Sequence, residues 1–428
     1  MVNKKNFVAV VGLGYVGLPI SLALGKKIPT IGFDISRGRI KELKKNFDRT
    51  FEKTKKEISS VKKIIFTNSP SLLKQAHIYI VAVPTPINKT NNPNFKPLLN
   101  ACKIISKYLK RGDIVIFEST VYPGVTRDIC VPYLEKKSSL KHLVDFNVAY
   151  SPERANVGDK ANNLRNVVKL VSADNYKTLF KVKSLYKLIV NKIFLTKSIE
   201  IAEAAKSLEN TQRDINIAFM NEFSKICERL NLNTYDVIKA ASTKWNFMNF
   251  TPGLVGGHCI SVDPYYLKYG SEKKKYTPKI ITYSRKINNS IPGHIVRKIF
   301  KSVNIKEKLN FLVLGLTFKE NCNDIRSSKV FDLIKILRKR KNINIDLHDP
   351  YVINHEVKKS YNETPKLWDK VIRKKYDVVI LAVKHIFYNA NKDKIYKLIK
   401  NNGIFFDLKS FLVKDLKKNN KFLKIMTL

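Results

Sequence analysis

The sequence predicts an α/β protein built from two doubly wound parallel sheets joined by a long central helix. Three observations carry that expectation. Short, almost continuous apolar runs alternate with helical stretches through the first 150 residues. A segment from Ser198 to Leu230 then runs without proline or glycine. The last third opens on a fresh apolar run and repeats the alternation. Buried apolar strands separated by helices are the mark of a parallel sheet covered on both faces.

In chain order the expected strands of the first sheet are "FVAVVG" (7–12), "TIGFD" (30–34), "IYIVAVP" (78–84), "DIVIFEST" (113–120) and "NVAYSP" (147–152). "VVKLVS" (167–172) and "NKIFLT" (191–196) close that domain. In the long segment, Ile201, Ala205, Leu208, Ile215, Ala218, Phe223, Ile226 and Leu230 recur at helical spacing. A helix of that length exceeds most helices of globular proteins and is expected to link domains and supply an oligomer interface. The second sheet is read from "LNFLVLGLTF" (309–318), "INIDLHDP" (343–350), "YDVVILAV" (376–383) and "GIFFDL" (403–408), with a basic helix around 330–340. The expected domains are residues 1–197, a dinucleotide-binding Rossmann-like domain; 198–304, a helical dimerisation domain; and 305–428, a second Rossmann-like domain. The cleft between the sheets is where such folds are expected to work.

Composition narrows the class. A chain of 428 residues with 44% hydrophobic residues can bury more than one core. Its five cysteines are scattered with no CxxC pair, which argues against a disulfide framework or a zinc site. The N-terminal apolar run enters a glycine turn without a signal-peptide cleavage site, and no apolar stretch approaches the roughly 18 residues of a membrane span. The expectation is a soluble, cytoplasmic protein. The net charge of +45 has two readings. One is a polyanion partner. The other is a general Lys and Asn bias, favoured because the basic runs ("KKK" at 273–275, "KKNNK" at 417–421) are dispersed along the chain.

"VAVVGLGYVGLP" places Gly12, Gly14 and Gly17, with Tyr15 and Val16 between them, in G-x-G-x-x-G spacing. The motif follows an expected strand and opens a helix, and Asp34 ends the next strand 20 residues after Gly14. That context is the dinucleotide fingerprint. Gly12 permits the turn, Gly14 lets the backbone approach a pyrophosphate, and Gly17 lets helix and strand pack closely. The phosphates lie on the helix N-terminus. Asp34 favours NAD by accepting from the adenine ribose, whereas nearby Arg37 and Arg39 argue for a 2′-phosphate. Thr85 and Arg39 join the expected cofactor contacts.

"GLVGGHCISVDPYYL" (253–267) puts Cys259 beside His258 and four residues before Asp263. Two readings stand. Cys259 is a packed thiol and Asp263 a helix N-cap with Pro264 behind it; or Cys259 is a nucleophile. A thiolate beside a hydride acceptor can capture an aldehyde as a thiohemiacetal, which yields a second hydride and becomes a thioester.

Six motifs in order carry a resemblance: "GLGYVGLP", "EST" (118–120), "SPER" (151–154), "AKSLENTQRDINIAFMNE" (205–222), "GLVGGHCISVDPYYL" and "GLTFKENCNDIRSSKV" (315–330). Together they resemble the nucleotide-sugar 6-dehydrogenases, from about residue 7 to beyond 385. "STKWNF" (242–247), "GGHCISVDPYYL" and "KINNSIPGHIV" (286–296) are most similar to the branch acting on UDP-N-acetylhexosamines. The resemblance implies a four-electron, NAD-dependent oxidation of a sugar C6 alcohol to a uronic acid for surface polysaccharide. It implies Cys259 as nucleophile, Asp263 as the carboxylate that positions or activates water, and Lys206 with Asn210 facing the reacting oxygen. Their i, i+4 spacing sets both on one helix face. Glu153 is implied as base for thioester hydrolysis and Thr120 as a cofactor or water ligand. Lys319 is implied at the substrate's nucleotide end, with Arg154, Gly256 and Gly257 among the substrate contacts, and Arg326 toward the cofactor phosphates. A homodimer or higher oligomer is implied, with no nucleic-acid, membrane or metal partner.

Two departures stand out. Where that branch reads Ile-Asn-Pro-Gly-Asp after "SPER", this chain reads "ANVGD" (155–159), and Lys244 stands near where relatives lend an arginine to a neighbouring subunit. The same chemistry on UDP-glucose or GDP-mannose is the nearest alternative. An inactive dehydrogenase fold that binds nucleic acid, and a one-step hydroxy-acid dehydrogenase, are the rivals from other classes.

Overall fold

The computed structural model describes residues 7–155, 163–257, 260–304, 307–412 and 423–428. The chain divides into two compact units, one formed by residues up to Asn210 with Val262–Thr277, the other by Thr211–Ser261 with Pro278–Leu428.

The first unit holds an eight-stranded sheet. Its strands are β1 (Phe7–Val11), β2 (Thr30–Phe33), β3 (Ile64–Thr67), β4 (Ala76–Val81), β5 (Asp113–Phe117), β6 (Phe146–Tyr150), β7 (Lys169–Ala173) and β8 (Ile193–Leu195), in the spatial order β3-β2-β1-β4-β5-β6-β7-β8. All pairs are parallel except β6 with β7. Side chains alternate between the two faces, as the pleat requires. Ala9, Val11, Tyr79, Val81, Val115 and Phe117 enter one core, while Val8, Val10, Ile78, Ile80, Ile114 and Ile116 enter the other. Each such aliphatic side chain contributes roughly 1.5–3 kcal/mol by leaving water. Chain order reverses between β1 and β4, which leaves the crevice at their C-terminal ends open for a ligand.

The second unit repeats the plan with five strands: β9 (Leu309–Leu314), β10 (Ile343–His348), β11 (Tyr376–Leu381), β12 (Ile399–Asp407) and β13 (Lys424–Met426), ordered β10-β9-β11-β12-β13 and parallel throughout. Phe311, Val313, Val378 and Ile380 face one core; Leu312, Leu314, Val379 and Leu381 face the other. The two parallel α/β sheets match the expected fold class.

The long helix spans Ile199–Arg229, 31 residues. Its two sides differ in character. Ile201, Leu208, Ile226 and Leu230 are exposed. The inward residues include Glu203, Ser207, Asn210, Thr211, Asp214, Asn221 and Ser224, beside the apolar Ile199, Ala202, Ala218, Met220 and Cys227. Of the eight apolar positions that marked the helix, the four exposed ones stand outward and Ala218 is buried, while much of the inner side is polar and held by hydrogen bonds. In the first unit Ser207 donates to the Val121 carbonyl (3.0 Å). In the second, Arg285 donates to Asp214 (2.5 Å), while Asn221 exchanges hydrogen bonds with both the carbonyl and the N–H of Gly253. Buried polar groups satisfied in this way avoid the cost of desolvation.

Candidate functional site

In the first unit the glycine turn sits between β1 and the helix Gly17–Gly25. Gly12 has φ +94°. A methyl on Gly17 would lie 1.7 Å from the Gly12 carbonyl oxygen, whereas one on Gly14 would meet nothing within 4 Å. Gly17 is therefore needed for packing, and Gly14 leaves the approach to the turn open. The helix has no side-chain capping bond and no acid in its first turn, so its positive end can take an anion. Asp34 folds back on this turn, its Oδ2 accepting from the Leu13 N–H (2.9 Å) and its Oδ1 from the Ser36 N–H (2.8 Å). Both oxygens keep a lone pair for a ribose hydroxyl. These features fit a dinucleotide.

Arg39 serves the turn from behind. It is buried, donates from Nε to the Leu13 carbonyl (2.9 Å) and pairs with Asp48 at 2.8 Å. Its charge is thus spent on Asp48 and not held out toward a ribose phosphate, so of the two arginines that argued for a 2′-phosphate only Arg37 is exposed. Tyr15, Val16 and Thr85 are half-buried around the same strand ends.

Thr120, half-buried, follows β5, and Glu153 follows β6. One Glu153 oxygen accepts from the N–H groups of Arg154 (2.7 Å) and Ala155 (2.6 Å). Its other oxygen lies 3.8 Å from Nζ of Lys169, a lysine without solvent exposure. Lys169 also donates to Glu118 (2.5 Å) and to the Pro152 carbonyl (3.1 Å), and the Tyr186 hydroxyl donates to Glu118. Burial lifts the Glu118 carboxyl to about 7 although Lys169 pulls it down. The Arg154 guanidinium is bound to Glu209 (2.8 Å) and the Val168 carbonyl (2.9 Å), so it fastens the "SPER" turn to the long helix and to the chain before β7.

Lys206 and Asn210 lie on the same unit's part of the long helix. Asn210 Nδ2 donates to Asp263 Oδ2 at 2.5 Å. Asp263 is the first residue of the helix Asp263–Lys273, whose N-cap is Val262, so its carboxylate is turned to Asn210 and does not cap the helix. It is 2% exposed. Burial raises its carboxyl to about 6, against the pull of the Lys206 charge and the Asn210 bond. Two turns before Asn210 on the long helix, buried Glu203 accepts from the Gly124 and Thr126 N–H groups and the Thr126 hydroxyl, and burial raises it to about 7. His258 and Cys259 lie outside the described residues, as do Asn156–Asp159 of the "ANVGD" segment.

The second unit supplies a basic pocket. Its lining includes Gly256, Phe318, Lys319, Lys329, Lys384 and Lys409. A side chain at Gly256 would collide with Ser327–Lys329, and Gly257 adopts φ +87° against the Phe318 ring. The room the two glycines free is thus filled by the chain itself. Arg326 is outside this lining, its guanidinium bound to Asp324 (2.6 Å). Lys409 Nζ donates to the Pro252 carbonyl (2.7 Å) and Thr251 (3.1 Å); burial and the neighbouring Lys384 lower its ammonium to about 8. Lys244 is exposed beyond the helix Thr234–Ala241.

Sequence reasoning missed Lys169, Glu203, Lys384 and Lys409. Only Lys169 left a signal, a lone lysine inside an apolar strand.

The glycine turn, the buried carboxylates and the two parallel sheets define a dinucleotide-dependent oxidoreductase. Residues 6–190 match the NAD binding domain, 200–290 the central domain and 312–414 the UDP binding domain of the UDP-glucose/GDP-mannose dehydrogenase family. The chain belongs to that family and is a NAD-dependent nucleotide-sugar dehydrogenase. It is 45% identical to Protein CapL of Staphylococcus aureus over 95% of this chain and 96% of the relative. It is 44% identical to a UDP-N-acetyl-D-glucosamine 6-dehydrogenase of Pseudomonas aeruginosa, covering 96% and 98%. Among solved structures, the UDP-D-ManNAc dehydrogenase of Pyrococcus horikoshii superposes with a TM-score of 0.87 at 29% identity, covering 98% of each chain. Among the described residues no helix is long and apolar enough to cross a membrane, and no group of three or more His, Cys, Asp or Glu is placed to hold a metal ion.

Proposed function

We propose that the chain oxidises the C6 alcohol of a UDP-N-acetylhexosamine, UDP-GlcNAc or UDP-GalNAc, to the uronic acid through a thioester on Cys259, as a homodimer or higher oligomer in the cytoplasm. The observation that carries the reading is the buried Asp263–Asn210 bond with Lys206 acting on the same carboxylate. A relative of 44% identity across nearly its whole length, named for UDP-N-acetyl-D-glucosamine, supports the substrate. The uronic acid would serve surface polysaccharide, as the branch resemblance implies.

Bound NAD would lie on Gly12–Gly17 with Asp34 at its ribose, and it supplies the hydride acceptor for each of the two oxidation stages. Asp263, ionised above about pH 6, takes the hydroxyl proton directly or through water. The Lys206 ammonium and the Asn210 amide stabilise the oxygen as it gains charge. The Cys259 thiolate adds to the aldehyde carbon, and the hydride then lost from that carbon leaves a thioester. Glu153, steadied by two backbone N–H groups and Lys169, takes a proton from the water that attacks the thioester. The carboxylate leaves and the thiolate is restored. The basic pocket of the second unit holds the nucleotide end through Lys319. The exposed stripe Leu208, Phe219, Ile226 and Leu230 supports association with a second copy.

The test is stoichiometric. Two NADH should form per UDP-GlcNAc or UDP-GalNAc consumed. One NADH per sugar, or full turnover by Cys259→Ser, overturns the proposal.

A further inference from the structure

The loop 317–321, which carries Lys319, leaves the end of β9 and lines the basic pocket. It is fixed by a histidine that the mechanism does not use. His385 has no solvent exposure and follows Lys384 of the same lining. The backbone N–H of Asn321 donates to His385 Nδ1 at 2.9 Å. An amide N–H can only donate, so Nδ1 carries the lone pair and the ring proton sits on Nε2. Nε2 faces Asp349 Oδ2 at 3.0 Å and Thr317 Oγ1 at 3.2 Å. The Thr317 hydroxyl donates to the Lys319 carbonyl at 2.8 Å, so its oxygen is left to accept from the ring. Asp349 Oδ2 also accepts from the Leu316 N–H (2.6 Å) and Oδ1 from the Tyr351 N–H (2.8 Å). In return Asn321, held at φ +55°, accepts on its side-chain oxygen from the Ile386 N–H (2.9 Å). Burial would raise the Asp349 carboxyl, but the His385 bond and these N–H groups hold it below its usual range, so it is an ionised anchor.

We infer that His385 is a positioning residue: as the neutral Nε2–H tautomer it pins both ends of the loop 317–321 to Asp349, and so sets Lys319 for the nucleotide end of the substrate. The inference rests on the proposed reading of this pocket. No charge on the ring is needed. Its value is that one small group accepts from one end of the loop and donates at the other.

Two substitutions separate the halves of that job. His385→Asn keeps an acceptor near Nδ1 for the Asn321 N–H, and His385→Gln keeps a donor near Nε2 for Asp349. Steady-state kinetics with UDP-GlcNAc, and calorimetric titration with UDP and with NAD, read the outcome. In His385→Gln the loop end is released. Its UDP-sugar KM and UDP Kd should rise about tenfold, the worth of one buried hydrogen bond. In His385→Asn the bonds from Nε2 to Asp349 and Thr317 are lost instead, and the same two constants should rise by about threefold or more. In both variants kcat and NAD affinity should stay near wild type. Unchanged UDP-sugar KM in both variants, or kcat, NAD affinity and UDP affinity falling together, overturns the inference. Long-range proton–nitrogen NMR of the wild-type protein near neutral pH needs no variant to fold well: an Nδ1–H tautomer or an imidazolium at His385 also overturns it. If wild-type protein binds no UDP, the pocket reading itself has failed, and that arm identifies the cause.

Discussion

Replacing Asn210 with alanine tests the proposed machinery at its tightest point. The amide donates to a carboxylate that is 2% exposed and whose carboxyl burial has raised to about 6. A hydrogen bond to a charged group contributes about 1.5–3 kcal/mol net. Removing it from the ionised form alone should lift the Asp263 carboxyl by about one to two pH units, at 1.36 kcal/mol for each. If ionised Asp263 takes the substrate proton, activity falls as pH drops through that value. The acid limb of kcat/KM should therefore move from near pH 6 into the range of about 7–8 in Asn210→Ala. Activity at pH 7 should suffer about two- to ninefold more than activity at pH 9. The assay is NADH formation with UDP-GlcNAc from pH 5.5 to 9, with stopped substrate-free controls. A uniform loss at every pH with the limb unmoved would show that Asn210 does not act through Asp263.

Two further outcomes concern stability. Lys169→Met leaves Glu118 buried without its cation and should cost about 3–5 kcal/mol in chemical denaturation, whereas Lys169→Met with Glu118→Leu should recover most of it; equal stability of the single and double variants would refute the pairing. Glu203 has a carboxyl raised in the folded state from 4.5 to about 7, so the stability it adds is fully present below about pH 4.5 and is lost as pH rises through 7. The stability of wild type relative to Glu203→Gln should fall by roughly 3 kcal/mol between pH 4.5 and 8, read from paired melts at each pH.

Strands such as β1, β5 and β11 were legible because burial on both faces demands uninterrupted apolar runs. β3 was not, since Ile64–Thr67 sits among lysines and only two of its residues are buried. The glycine turn could be read with its context, for Gly17 and Asp34 answer to local geometry. The extent of the long helix was plain from its lack of breakers. The polar share of its inner side was hidden because hydrophobic periodicity gives no account of buried Glu203, Asn210 and Asp214, whose partners lie far away in the sequence. Arg39 was expected at the cofactor from its place near Asp34, and Arg326 from the family resemblance. The acids that occupy them, Asp48 and Asp324, are met only when the chain is folded. For the same reason Asp349 and His385, 36 residues apart, carry no joint signal in the sequence.

The inward side of the long helix has a consequence for how it can change. Greasy ridges tolerate slippage, because one methyl can stand in for another a few ångströms away. Directional bonds at Glu203, Ser207, Asn210, Asp214 and Asn221 do not. Within either unit's part of the helix, one inserted residue would turn the residues after it by about 100° and carry these groups away from their partners. Within each unit the phase of the helix is locked to the single count it now has.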